Sequence, residues 1–201
     1  MTRYTRPILC IFLTGLLACG VSVADEKAQS SADEKGTKTK DVQVKDITLK
    51  IPTTWKMLPN SNSMRLATIE IPPAGDDDVP AELTVFNFPG GGGGIGSNLS
   101  RWVGQFDADG RTVQTRKGKA GKNSYVVTTI TGTYHKPIGP PIRRQTEDVE
   151  GYAASNVILT LEDGNVYYLK LVGPKATIKA QEAAYRNVFG GNMETEEDYE
   201  I

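Results

Sequence analysis

Cysteine is nearly absent. The 201 residues hold two, Cys10 and Cys19, and both fall within the first 24 positions, so the rest of the chain has no thiol for a disulfide, a cysteine-ligated metal or a nucleophile. Histidine is scarcer still. His135 stands alone, and acid–base work near neutral pH needs an imidazole with an oriented partner, which nothing nearby in the sequence declares. No G-x-S-x-G elbow surrounds any serine. Charge of either sign is not in excess. With 23 basic and 24 acidic residues, the formal balance of −1 gives no reason to expect nucleic acid as a partner.

What is present begins with a targeting segment over residues 1–24. Arg3 and Arg6 precede an apolar run from Ile8 to Leu17, which is shorter than the roughly 20 residues that span a bilayer. Two processing sites compete. Leu16-Leu17-Ala18-Cys19 has the form of a lipobox, which would put a lipid on Cys19; Ser22-Val23-Ala24 has the small residues of an ordinary cleavage site, which would start the mature chain at Asp25. The lipobox is the working reading. Residues 25–41 are polar and charged, too poor in large apolar groups to offset the entropy of ordering, and read as a disordered tether.

Residues 42–192 are enough for one domain with a proper core. Ile47, Leu49 and Ile51 alternate with polar residues as in a half-buried strand stopped by Pro52, with Trp55 packing back over its end. Further strands are expected over 64–71, 83–88, 111–116, 124–134, 152–161 and 166–172, the last two as a hairpin about Glu162-Asp163-Gly164-Asn165. One helix follows the glycines near residue 95, with Ser97 or Asn98 as its cap and Leu99, Trp102, Val103 and Phe106 on one face. A second follows Gly173-Pro174, buries Ile178, Tyr185, Val188 and Phe189, and stops at Gly190-Gly191. Residues 135–151 read as a long proline-rich loop, and 193–201 as a disordered acidic tail. Hairpin-joined strands with helices inserted once in the middle and once at the end predict an α+β domain, an antiparallel-rich sheet sandwiched by helices.

The feature most like a ligand site is the run Gly90 to Gly94 leading into that first helix. Amides of Gly92, Gly93, Gly94, Gly96, Ser97 and Asn98, with Arg101 alongside, form a candidate anion site. No Gly-Lys-Ser/Thr follows, so it is not a nucleotide phosphate loop. A second candidate is a basic hairpin carrying Arg111, Arg116, Lys117, Lys119 and Lys122, suited to an anionic polymer or lipid headgroups unless the acidic tail screens it. Asp76-Asp77-Asp78 and Asp107-Ala108-Asp109-Gly110 hint at calcium, but the second lacks the distal bidentate glutamate, and both read as solvated turns. A paired-carboxylate glycosidase would need a groove rich in aromatics, which the sequence does not display. No metal, cofactor or catalytic set is assigned.

Several separated motifs agree in order with a known pattern. Ile51-Pro52 then Trp55, the strand ending at Phe88, the glycine run into Asn98-Leu99-Ser100-Arg101-Trp102 and Gln105, Gly132-Thr133-Tyr134, and Leu169-Lys170-Leu171-Val172-Gly173-Pro174 resemble a group of functionally unassigned exported proteins and lipoproteins of planctomycete-type bacteria. Their domain is similar to the Mog1/PsbP-like fold. The resemblance implies an antiparallel sheet between helices and a binding or assembly role, and it brings no catalytic residues. The expected function is therefore a non-catalytic, lipid-tethered envelope module that binds a partner protein. The alternative is a binder of a small anionic ligand or anionic envelope polymer.

Overall fold

The computed structural model describes residues 37–88, 90, 92–139 and 141–200. The leader, Cys19 and most of the tether lie outside the described residues. Strands β1 (Thr39–Val44) and β2 (Ile47–Pro52) form a hairpin of their own, turning at Lys45-Asp46. The charged stretch Thr39–Asp41, assigned to the disordered tether, is thus ordered: its backbone is satisfied by Lys50–Pro52 across the ladder, a partner that composition cannot reveal.

The main sheet contains β3 (Lys56–Leu58), β4 (Arg65–Ile71), β5 (Ala81–Asn87), β6 (Thr112–Ala120), β7 (Asn123–Ile138), β8 (Gln145–Thr160), β9 (Val166–Pro174) and β10 (Glu197–Asp198). They lie in the order β10-β6-β7-β8-β9-β5-β4-β3, every neighbour antiparallel. The expected α+β class with an antiparallel sheet between helices is what forms. Helix α1 (Ile95–Val103) lies on one face, and α2 (Lys175–Val188) with the β1–β2 hairpin lies on the other.

The α2 face holds the larger core. Leu49, Ile51, Trp55, Ile69, Ile71, Leu83, Leu169, Leu171, Ile178 and Tyr185 are all buried there, and the Tyr185 hydroxyl donates to the Leu169 carbonyl at 2.9 Å. The start of α2 is capped from a distance. One carboxylate oxygen of Asp77 accepts from the Thr177 amide at 2.7 Å and hydroxyl at 2.6 Å, so the acidic triplet's middle residue is a structural cap rather than a solvated turn.

Three further expectations are corrected. Residues 135–151 are mostly a ribbon: past the bulge at Gly132, β7 and β8 continue as a pair from Tyr134↔Val149 to Ile138↔Gln145. Prolines made that stretch look like loop, but Pro137 sits where only two strands pair. The acidic tail is also folded. Asn192 caps a short 3-10 turn, Met193–Thr195, and Glu196 is buried, accepting from the Arg186 guanidinium at 2.6 Å and the Tyr125 hydroxyl at 2.9 Å, before β10 joins the edge of β6. Its acids looked unpackable because their cationic partners lie on α2 and β6, remote in sequence. Finally, α1 is capped by neither Ser97 nor Asn98; Gly94 takes the cap position, with no side-chain hydrogen bond.

Candidate functional site

Residue parity along β9 decides what each face receives. Tyr167, Leu169 and Leu171 enter the α2 core, whereas Tyr168 and Val172 join the α1 face, with Lys170 between them on that same side. A polar row results. Thr115, Thr128, Asn156, Lys170, Thr84 and Thr68 stand in register across six consecutive strands on the α1 side. Helix α1 has nine residues, about 14 Å, and its Leu99 and Trp102, with Phe106 just beyond, cover Val126, Ile130, Ala154, Ile158 and Tyr168 on β7 to β9. Among the described residues no helix covers the same face of β5, β4 and β3.

Two hollows open there, sharing Phe86, Gln105 and Lys170. The one toward the glycine loop, about 430 Å³, is walled by Phe86, Phe88, Trp102 and Tyr168, with Gly92, Arg101, Gln105 and Lys170 completing it. Among the described residues no carboxylate lines it. The other, about 460 Å³, extends over β4 and β3 between Tyr134, Tyr152, Val172 and Leu58, and mixes Arg65, Lys136 and Lys170 with Glu70 and Glu82. Arg65 matches Glu82 at 2.8 Å. An aromatic-lined groove therefore exists, built from rings on five separate stretches of chain, which is why no local sequence pattern displayed it.

Lys170 is the residue that the sequence reading passed over. Its Nζ donates to Gln105 Oε1 at 3.2 Å. Burial, and then the positive charges of Arg101 and Arg65, draw its pKa down from 10.5 to about 8, with Glu82 acting in the opposite sense. The signal was a lone lysine inside the apolar run Tyr167–Val172 of β9, which lies between β8 and β5 in the sheet. Its neighbour across the ladder, Asn156, is fully buried, and both polar atoms of that side chain lack a partner among the described residues.

The glycine loop is held from within. Asn98, buried, donates from Nδ2 to the carbonyls of Gly92, Gly93 and Gly94 at 3.2, 3.3 and 3.0 Å, and its Oδ1 accepts from Arg101. Gly92 is required twice over: its φ is +58°, and a Cβ there would stand 2.9 Å from both Phe88 and the Tyr168 hydroxyl. Of the loop residues proposed for an anion, Gly92 and Arg101 reach the hollow; Gly93, Gly94 and Asn98 serve the loop's own bonding; Gly96 and Ser97 are exposed on the first turn of α1.

The basic hairpin divides among other tasks. Arg111 donates to the carbonyls of Val103 and Phe106, closing the end of α1. Arg116 donates to the Glu196 carbonyl at 2.7 Å and lies 3.6 Å from Asp198, Lys117 lies 3.3 Å from Glu197, and Lys122 lies 3.4 Å from Glu162. The tail does meet this patch in the same molecule. His135 pairs with Asp148 at 2.6 Å out on the ribbon and lines neither hollow. Among the described residues no group of three His, Cys, Asp or Glu is placed to hold a metal ion, and no helix is long and apolar enough to cross a membrane.

No protein-family model matches the chain, and no curated protein matches it. Among solved structures it is similar to the cyanobacterial PsbP protein (CyanoP) of Synechocystis, with 10% identity and a TM-score of 0.44 over 92% of this chain and 99% of that one. It is also similar to a Pseudomonas aeruginosa protein of unknown function, with 13% identity and a TM-score of 0.39 over 74% and 91%. Likenesses this loose transfer neither a site nor a partner.

Proposed function

We propose that this chain is an exported, non-catalytic binding module of the cell envelope, tethered through a lipid on Cys19, and that it takes a small ligand with an acidic group on an apolar body. The observation that carries the reading is the hollow beneath the glycine loop, where two cations, Lys170 and Arg101, meet four aromatic rings and, among the described residues, no carboxylate. Concave sites of several hundred Å³ with apolar walls and a few placed charges are what small ligands use. A carboxylate, phosphate or sulfonate between Lys170 and Arg101 would relieve their mutual repulsion, and the rings would accept a planar or aliphatic body. In this reading the anionic-ligand role expected of the glycine loop and the basic hairpin stays with Gly92 and Arg101 of the loop, gains Lys170 and leaves the hairpin. His135, apart from the hollow, supplies it no acid–base partner.

The test uses anilinonaphthalene sulfonate, an aromatic body bearing a sulfonate. Saturable one-to-one binding, weakened tenfold or more by Lys170→Met and by Arg101→Gln, supports the site. Binding that is unsaturable, or indifferent to Lys170→Met, sinks it. Export and tethering are tested separately by the mass of native protein from its own envelope: acyl mass on Cys19 supports the tether, and a bare chain starting at Asp25 removes it.

A further inference from the structure

We propose that the outer edge of β6 is a docking site for an extended acidic segment of a partner protein, and that residues 197–199 of this chain are its resident occupant. The chain itself shows the mode of binding. Glu197 pairs with Lys117 and Asp198 with Arg116 in the antiparallel ladder, and the Tyr199 amide donates to the Thr115 carbonyl at 3.0 Å. The side chains alternate as a strand requires. Glu197 and Tyr199 turn to the α1 side, where Glu197 meets Lys117 at 3.3 Å and Tyr199 closes a hollow of about 410 Å³ lined by Ile95, Val126 and Ile158. Asp198 turns the other way, to Arg116 at 3.6 Å. The edge therefore reads acid, acid, aromatic at three successive positions of an added strand.

The hold on this occupant changes abruptly at one residue. Glu196, with its side chain 1% exposed, is anchored by Arg186 and Tyr125; Glu197 and Asp198, 75% and 84% exposed, make only screened surface pairs. Beyond Glu196, among the described residues only Tyr199, half-buried at the rim of the α1-side cluster, touches apolar groups, so an added strand that supplies an aromatic at that position can replace the segment. Lys119 follows Lys117 on the same side of β6 and has no ion-pair partner among the described residues, but Thr195 and Glu196 of this chain hold the edge beside it. A partner strand therefore begins opposite Lys117.

The experiment compares the full chain with one ending at Glu196. The probe is a fluorescent synthetic peptide of residues 197–201, alone and with Glu197→Lys, followed by anisotropy at low salt. The shortened chain is expected to bind the unaltered peptide saturably, at least tenfold tighter than the full chain does, with the Glu197→Lys peptide severalfold weaker and Lys117→Glu/Lys119→Glu removing binding. A shortened chain with native circular dichroism that does not bind the unaltered peptide, or binds it equally after Lys117→Glu/Lys119→Glu, overturns the proposal. Should shortening impair folding, the full chain carrying Glu197→Lys/Asp198→Lys decides instead: it must gain peptide binding over the unaltered chain, and failure to gain it overturns the proposal.

Discussion

Leu169 and Lys170 are neighbours on one strand and serve faces built on opposite terms. The α2 face is closed by a 14-residue helix and a hairpin over a continuous apolar core, while the α1 face carries a polar row and is covered for only part of its width. The comparison teaches that stability and recognition are separated here by residue parity. A change at an odd position of β9 should be felt in unfolding, and a change at Lys170 in binding.

Among the largest expected effects is therefore that of Leu169→Ala, which leaves a cavity in the closed core and should lower unfolding free energy by about 2–5 kcal/mol in urea titrations. Lys170→Met, one residue away, should leave stability at pH 7 unchanged or raised. Equal losses at the two positions would break the comparison.

Of comparable size is the effect at the buried pair Arg186 and Glu196, among the described residues the one place where the α2 face holds charge in its interior. Arg186→Met strands the Glu196 carboxylate and should cost about 3–5 kcal/mol. Tyr125 and Arg116 lose their anchor with it, so β10 should detach, seen as loss of amide-exchange protection at Thr115 and Lys117.

The pH dependence sharpens the contrast further. Lys170 is depressed to about 8 in the folded chain against 10.5 unfolded, so between those values the unfolded state holds more protons, and stability rises with pH. The rise should reach about 2 kcal/mol and vanish in Lys170→Met. Above pH 10 the trend reverses, because burial raises Tyr125 and Tyr167 to about 12 and the folded state then holds the extra protons. Anion binding should weaken over the same interval, as Lys170 loses its charge above pH 8. A flat stability profile from pH 7.5 to 10 would show that the lysine is freely solvated.

These predictions divide along the line of what the sequence could reveal. The α2 core was legible: Ile47, Leu49 and Ile51 alternate, Ile178, Tyr185 and Val188 share a helical face, and Trp55 packs as expected. The Asp-Gly hairpin between β8 and β9 was equally plain. What escaped depends on partners far away in the chain. Thr39–Asp41 needed the backbone of β2, Glu196 needed Arg186, and the ribbon needed its own second strand. Lys170 was visible as a lysine among apolar residues, but a period of two says only that it faces away from Leu169, not whether that other face is covered.

The smallest effect tests the glycine run, where one composition hides two kinds of position. Gly96 lies in the first turn of α1 with open space where a Cβ would go, so Gly96→Ala should be neutral or stabilising by up to about 1 kcal/mol, through helix propensity and a less free unfolded chain. Gly92 has φ +58° and no room beside Phe88 and Tyr168. Gly92→Ala should cost about 1–2 kcal/mol in backbone strain and displaced rings. Those rings are two walls of the hollow, so the same substitution should also weaken sulfonate binding, while Gly96→Ala leaves it intact. If both variants bind and unfold alike, the run is a uniform spacer, and the loop has no part in shaping the cleft.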